Sequence, residues 1–107
     1  MSQGVSGSGP AYFFLFIESL IKAGQDMGLD AKVSEKLALQ TALGAARMAT
    51  ETDQDVETLR KMVTSPHGTT EAAIVFFQRN GLGEMVAGAA SAARERGQEI
   101  GKELGEQ

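Results

Sequence analysis

The chain has 107 residues, 42% of them apolar and 22% charged, which is the size and balance of one domain. Fourteen acidic against ten basic residues leave a net charge of -4, so the positive surface that a nucleic-acid binder needs is not expected. With no cysteine and a single histidine, the composition excludes disulfides, iron–sulfur clusters and thiolate catalysis and leaves little for a metal site; a cytoplasmic setting is expected.

The uncharged opening Met1-Ser2-Gln3-Gly4-Val5-Ser6-Gly7-Ser8-Gly9 has no basic n-region and is not a secretory signal. Residues 1–9 read as a linker or domain boundary, a place where a longer chain would divide. The stretch Gly4 to Gly9 looks superficially like a dinucleotide-binding glycine loop. A true one needs a preceding strand and an acidic residue after the next strand, and neither is present. Pro10 suits a first helical turn, and Gly28-Leu29 supplies a left-handed stop, so a helix is predicted from Pro10 to Met27. Its apolar run Ala11–Ile17 is broken by Glu18 and falls short of the roughly 20 residues of a membrane span.

Asp30 can cap a second helix, in which Val33, Leu37, Ala38, Thr41, Ala42, Ala45 and Ala49 recur at spacings of three and four. Leu39, Leu43 and Met48 add a second apolar face, so this helix is expected to be enclosed by others. Asp55 caps a third, Val56 to Val63, with Leu59, Met62 and Val63 turned inward. A fourth, Glu71–Arg79, ends at Asn80-Gly81, and a fifth starts at Gly83-Glu84 and continues to Leu104. No segment alternates with strand period. The fold class is therefore all-α: five helices in a bundle-like domain over residues 10–107. The first two carry more apolar surface than one copy can cover, which points to an interlocked homodimer.

Between the third and fourth helices lies Thr64-Ser65-Pro66-His67-Gly68-Thr69-Thr70. Pro66 fixes a turn, Gly68 permits positive φ, and Thr69-Thr70 stand at a helix N-terminus, whose unpaired amides and dipole favour an anion. With the hydroxyls of Ser65, Thr69 and Thr70 the corner can hold a carboxylate or phosphate. The competing reading is an ordinary corner in which one threonine caps its own helix. His67 reads as a solvated turn residue, Arg94-Glu95-Arg96 as a solvated helix face, and Glu51-Asp53-Asp55 as an exposed, cap-bearing loop. No ligand spacing supports a metal site.

The stretches Ser6-Gly7-Ser8-Gly9-Pro10-Ala11-Tyr12, Gln40-Thr41-Ala42-Leu43-Gly44-Ala45-Ala46-Arg47-Met48 and Val63-Thr64-Ser65-Pro66-His67-Gly68-Thr69-Thr70, in that order, resemble the C-terminal half of pyrroline-5-carboxylate reductase along essentially the whole chain. The resemblance implies the last step of proline biosynthesis, reduction of 1-pyrroline-5-carboxylate by NADPH or NADH. It also implies an all-helical dimerisation domain with shared active sites, dimers that assemble further, and a Rossmann domain lying N-terminal to this half. The loop corresponding to Ser65, Gly68, Thr69 and Thr70 would bind the substrate carboxylate through hydroxyls and main-chain N–H groups, with Thr70 nearest the imine nitrogen. Gly7, Ser8, Gly9 and Pro10 would approach the nicotinamide end of the cofactor, and Asp53 aligns with an acidic position that helps order the site. The family usually has glycine where this chain has His67, and it has no covalent nucleophile. The partners implied are a second copy of the chain and a small imino acid, without nucleic acid or membrane. By itself the chain is expected to bind no cofactor and to be inactive. Two other readings stay open at this level: a non-enzymatic helical dimerisation module, and the helical domain of a related hydroxy-acid dehydrogenase.

Overall fold

A computed structural model describes residues 7–105. Its helices are α1 (Gly9–Asp26), α2 (Ala31–Glu51), α3 (Val56–Met62), α4 (Thr69–Arg79) and α5 (Leu82–Gly105). No strand occurs among the described residues, in agreement with the all-α expectation. Residues 1–6 of the predicted linker, with the first half of the Gly4–Gly9 stretch, lie outside the described residues; Gly7 and Ser8 form a turn leading into α1. The chain divides into two units, residues 14–73 and residues 7–13 with 74–105; α1 and α4 each contribute to both.

In the first of these units, local chemistry determines where each helix stops and restarts. Gly28 takes φ 105°. Its amide donates to the Gln25 carbonyl at 2.9 Å, and the Leu29 amide donates to Gly24 at 3.0 Å. This paired closure satisfies the last carbonyls of α1. One residue later the Asp30 carboxylate accepts from the Lys32 amide at 3.1 Å and opens α2. The reversal lays α2 against the end of α1, and the crossing is close because both contact residues are small. Ser34, only 3% exposed, donates its hydroxyl to the Ile21 carbonyl at 2.7 Å. A Cβ added to Gly24 would collide with that hydroxyl oxygen and stand 3.3 Å from Leu29 Cδ1.

At its other end α2 is closed by Thr52, whose hydroxyl donates to the Met48 carbonyl at 2.7 Å. Asp55 then accepts from the Thr58 amide at 2.8 Å to cap α3. That backbone hydrogen bond, with a further one from the Thr58 side chain, holds the Asp55 carboxyl below the usual carboxylate range. Between α2 and α3 lies an open apolar groove of about 520 Å³, walled by Gly44, Ala45 and Met48 on one side and Val56, Leu59 and Val63 on the other. Met62, expected to face inward, is 63% exposed and does not line the groove; Val56 takes that place. Seven residues make only two turns, so a small rotation of α3 exchanges one flank for the other.

In the second unit α4 and α5 are joined by Asn80 and Gly81 alone. The Asn80 amide and side-chain amide both donate to the Phe76 carbonyl, at 3.0 and 2.9 Å, and Gly81 turns the chain at φ 78°. Farther along α5, Arg96 pairs with Glu99 at 3.0 Å and Glu103 at 3.6 Å on a solvated face. Such exposed pairs contribute about 0–1 kcal/mol each.

Burial within one copy is slight. Among the described residues Ala38, 8% exposed, is the only buried hydrophobic residue. Leu37, Leu39, Leu43 and Met48 of α2 are exposed, as are Phe13, Phe14 and Leu15 of α1. The enclosure expected for α2 is thus not provided by this chain alone, because its other helices cover only the Ser34–Ala38 strip and part of one face. No helix among the described residues is long and apolar enough to cross a membrane.

The α1–α2 crossing is open to a double-mutant test. Gly24→Ala should destabilise the chain by about 1–3 kcal/mol through overpacking, and Ser34→Ala by about 1 kcal/mol through loss of the bond to Ile21. The double variant should lose less than the sum, since removing the hydroxyl relieves the worst clash and leaves contacts of 3.2 and 3.3 Å. Thermal unfolding of the four proteins at one concentration reads this, and strict additivity would contradict the close approach.

Candidate functional site

The corner between α3 and α4 begins where α3 runs out of helix. Val63 leaves helical geometry at φ -103°, ψ 11°, with its amide donating to the Arg60 carbonyl at 3.3 Å. Thr64 completes the stop: its hydroxyl donates to the Arg60 carbonyl and its amide to Lys61 at 3.1 Å. Both ends of the short α3 are therefore closed, and the chain enters the next four residues from a fixed direction.

Ser65 to Gly68 form a single tight turn, closed by the Gly68 amide donating to the Ser65 carbonyl at 3.1 Å. Pro66 and His67 are its central residues. His67 takes φ 62° and is the only non-glycine residue with positive φ among the described residues. Proline second and positive φ third is the pattern of a type II turn. The sequence expectation placed the positive φ at Gly68, and the structure places it one residue earlier. Gly68 suits the turn for a different reason: a Cβ there would stand 3.2 Å from the Ser65 carbonyl oxygen, so the turn would have to give by a few tenths of an ångström. The left-handed position is held by a histidine, at a cost of about 1–2 kcal/mol.

Helix α4 starts at Thr69, two residues before the predicted Glu71. Among the described residues the amides of Thr69, Thr70 and Glu71 find no acceptor; the first helical bond of this end is Ala72 to the Gly68 carbonyl at 3.2 Å. Neither threonine caps the helix, and the hydroxyls of Ser65, Thr69 and Thr70, all three residues exposed, make no hydrogen bond within the described chain. The ordinary-corner reading, in which a threonine satisfies its own helix end, is not what the chain adopts. Instead Glu71 reaches back, and its Oε1 accepts from the His67 amide at 2.9 Å. The sequence does not show this contact: a capping box would join Glu71 to the Gly68 amide, which here bonds Ser65 instead.

Of the predicted positions, Ser65, Gly68, Thr69 and Thr70 are therefore brought together in one exposed corner that offers three unpaired amides and three hydroxyls, with the Gly68 amide used inside the turn. Such an end can hold a carboxylate through several charge-assisted hydrogen bonds. Gly7, Ser8, Gly9 and Pro10 open α1 in the other unit, with the Ala11 amide donating to Ser8 at 3.0 Å. Asp53 is exposed in the loop between α2 and α3. No group of three or more His, Asp or Glu side chains able to hold a metal occurs among the described residues.

A family model described as pyrroline-5-carboxylate reductase dimerisation matches residues 1–100. The chain is 50% identical over 102 residues to the pyrroline-5-carboxylate reductase of Pseudomonas aeruginosa, covering 95% of this chain and 37% of that protein. It is 42% identical over 101 residues to pyrroline-5-carboxylate reductase 1 of Bacillus subtilis, covering 94% and 34% respectively. Among solved structures, the Plasmodium falciparum pyrroline carboxylate reductase with NADP bound superposes with a TM-score of 0.89 at 39% identity, over 94% of this chain and 40% of that one. A pyrroline-5-carboxylate reductase from Coxiella burnetii gives 0.88 at 49% identity, over 91% and 36%. The chain thus spans little more than a third of the length of the curated relatives described.

The left-handed residue is directly testable. His67→Val should be less stable than His67→Gly by about 1–2 kcal/mol, because a β-branched side chain is strongly disfavoured at φ 62°. Wild type should fall between them. Thermal unfolding followed by circular dichroism at fixed concentration decides, and equal stability of the two variants would rule out the positive φ.

Proposed function

The chain belongs to the pyrroline-5-carboxylate reductase dimerisation family, and on that premise we propose that it is the self-associating, substrate-holding half of an enzyme that reduces 1-pyrroline-5-carboxylate to proline with NADPH or NADH. The observation that carries this reading is the unpaired first turn of α4: three amides without acceptors beside the hydroxyls of Ser65, Thr69 and Thr70. A five-membered imino acid bears one carboxylate, and a set of fixed donors is what turns that group into a handle. Hydrogen bonds to a charged acceptor contribute about 1.5–3 kcal/mol each, and the helix dipole adds about 0.3–1 kcal/mol.

With the carboxylate held by Ser65, Thr69, Thr70 and the α4 amides, the ring has little freedom left, and one face of the imine carbon is presented to the hydride donor. Gly68 contributes by absence, letting the turn close without a side chain between Ser65 and the site. Thr70 is placed nearest the imine nitrogen, where its hydroxyl would steady the protonated imine, the form that accepts hydride more readily. A bound nicotinamide would supply hydride to that carbon, the C=N π pair ending as the lone pair on nitrogen. No chain nucleophile takes part, so positioning is the main contribution of these residues. The described residues contain no strand from which a glycine-rich dinucleotide loop could spring, so they do not fit the whole cofactor. The dinucleotide would be held by another part of a longer enzyme, and the family resemblance implies that Gly7, Ser8, Gly9 and Pro10 approach its nicotinamide end.

Self-association follows from the same premise. The exposed apolar faces of α1 and α2 and the α2–α3 groove are read as surfaces that a second copy covers in an interlocked dimer. Sedimentation equilibrium at micromolar concentration should give at least twice the 11.3 kDa chain mass, and a folded 11.3 kDa monomer would overturn this part.

For the site, Thr70→Ala in an enzyme joining this chain to a dinucleotide-binding half should lower kcat/KM for pyrroline-5-carboxylate about tenfold or more, the equivalent of one charge-assisted hydrogen bond. Unfolding temperature should hardly move. A loss confined to stability, with turnover intact, would reduce the corner to a helix end.

A further inference from the structure

The corner carries one residue that the carboxylate-loop reading does not use. Glu71 Oε1 lies 2.9 Å from the His67 amide nitrogen, so the side chain of the third α4 residue reaches back to the left-handed position of the turn. Two consequences follow from that placement. The contact ties the strained residue to the helix, and the strain at His67 persists only where neighbouring structure over-determines it. Because His67 is only two residues before Thr69, it also brings a carboxylate into the corner that holds the amides of Thr69, Thr70 and Glu71, the donors that a substrate carboxylate would use. Like charges in one corner repel, although solvent screens them where the corner is exposed.

We propose that Glu71 is a positioning residue for this loop: its side-chain oxygen holds the Pro66–His67 turn in the shape that leaves the α4 amides open, and its charge lowers the affinity of those amides for a carboxylate ligand. The two roles separate chemically. Glutamine keeps an accepting oxygen at the same reach and loses the charge; alanine loses both. The charge role explains why a loop with so many donors can release a carboxylate product: an anion held by three amides and three hydroxyls without an opposing charge would leave slowly.

The inference rests on the carboxylate-loop reading, and the test separates the two. Amide spectra of wild type, Glu71→Gln and Glu71→Ala are recorded by NMR, each titrated with L-proline at low and high salt. Glu71→Gln should keep the His67 amide shift and its slow exchange with water and should bind L-proline about threefold or more tighter than wild type, with the advantage shrinking as salt rises. Glu71→Ala should show a shifted, faster-exchanging His67 amide and weaker binding than Glu71→Gln. An unchanged His67 amide in Glu71→Ala, or equal affinity of Glu71→Gln and wild type at low salt, overturns the role of Glu71 while leaving the loop reading intact. No saturable shift at Thr69 and Thr70 in any variant overturns both.

Discussion

Among the described residues Ala38 is the only buried hydrophobic side chain, and Ile17, Ile21, Leu59, Ile74, Val75 and Phe77 are partly buried, so within one copy the hydrophobic effect that stabilises a domain of this size acts through few fully enclosed side chains. What holds the single chain in shape is instead a series of local closures: the glycine stop at Gly28, the carboxylate caps at Asp30 and Asp55, the hydroxyl stops at Thr52 and Thr64, and the tight Gly24–Ser34 crossing. Each is worth on the order of 1 kcal/mol, enough to define where helices begin and turn but small beside the conformational entropy of a hundred residues. In the proposed dimer a second copy would supply the missing term by covering the apolar faces of α1 and α2.

That division of labour bears on the site. A corner with unpaired amides, as the proposed carboxylate site has, cannot itself be packed into a core, because burial would leave those donors without water or partner. It is held by its flanks: Thr64 closes α3 before it, the Gly68-to-Ser65 bond closes the turn, and Glu71 anchors the turn to α4 after it. The strain at His67 is affordable in such a frame because the turn is fastened on both sides. A position that glycine would fill without strain is occupied by histidine, and no contact in the structure explains that choice.

Much of the secondary structure was legible because its causes are local. Gly28-Leu29, Asp30, Asp55 and Asn80-Gly81 each act through bonds to residues within five positions, and all act where the sequence placed them. The misses have the same kind of origin. Positive φ was assigned to Gly68 because glycine is the usual occupant, but a Pro66-initiated turn needs it at its third residue, which is His67. Threonine favours caps, which puts the expected start of α4 at Glu71, yet Thr69 and Thr70 are themselves helical and the Glu71 side chain bonds the His67 amide before them. Met62 was assigned inward because the inner flank of a two-turn helix depends on its neighbour's position, which periodicity does not contain.

The order of helices, most of their ends, the excess of apolar surface and the donor-rich corner were thus determined by the sequence alone, since each depends on residue chemistry at short range or on summed composition. Only the tertiary structure decided that Gly24 and Ser34 meet, that α2 and α3 enclose a groove reaching Val63, and that the α4 amides stay open while Glu71 turns to His67. Those are choices among several partners of equal chemical fitness, and distance in space, which a linear chain does not carry, is what selects between them.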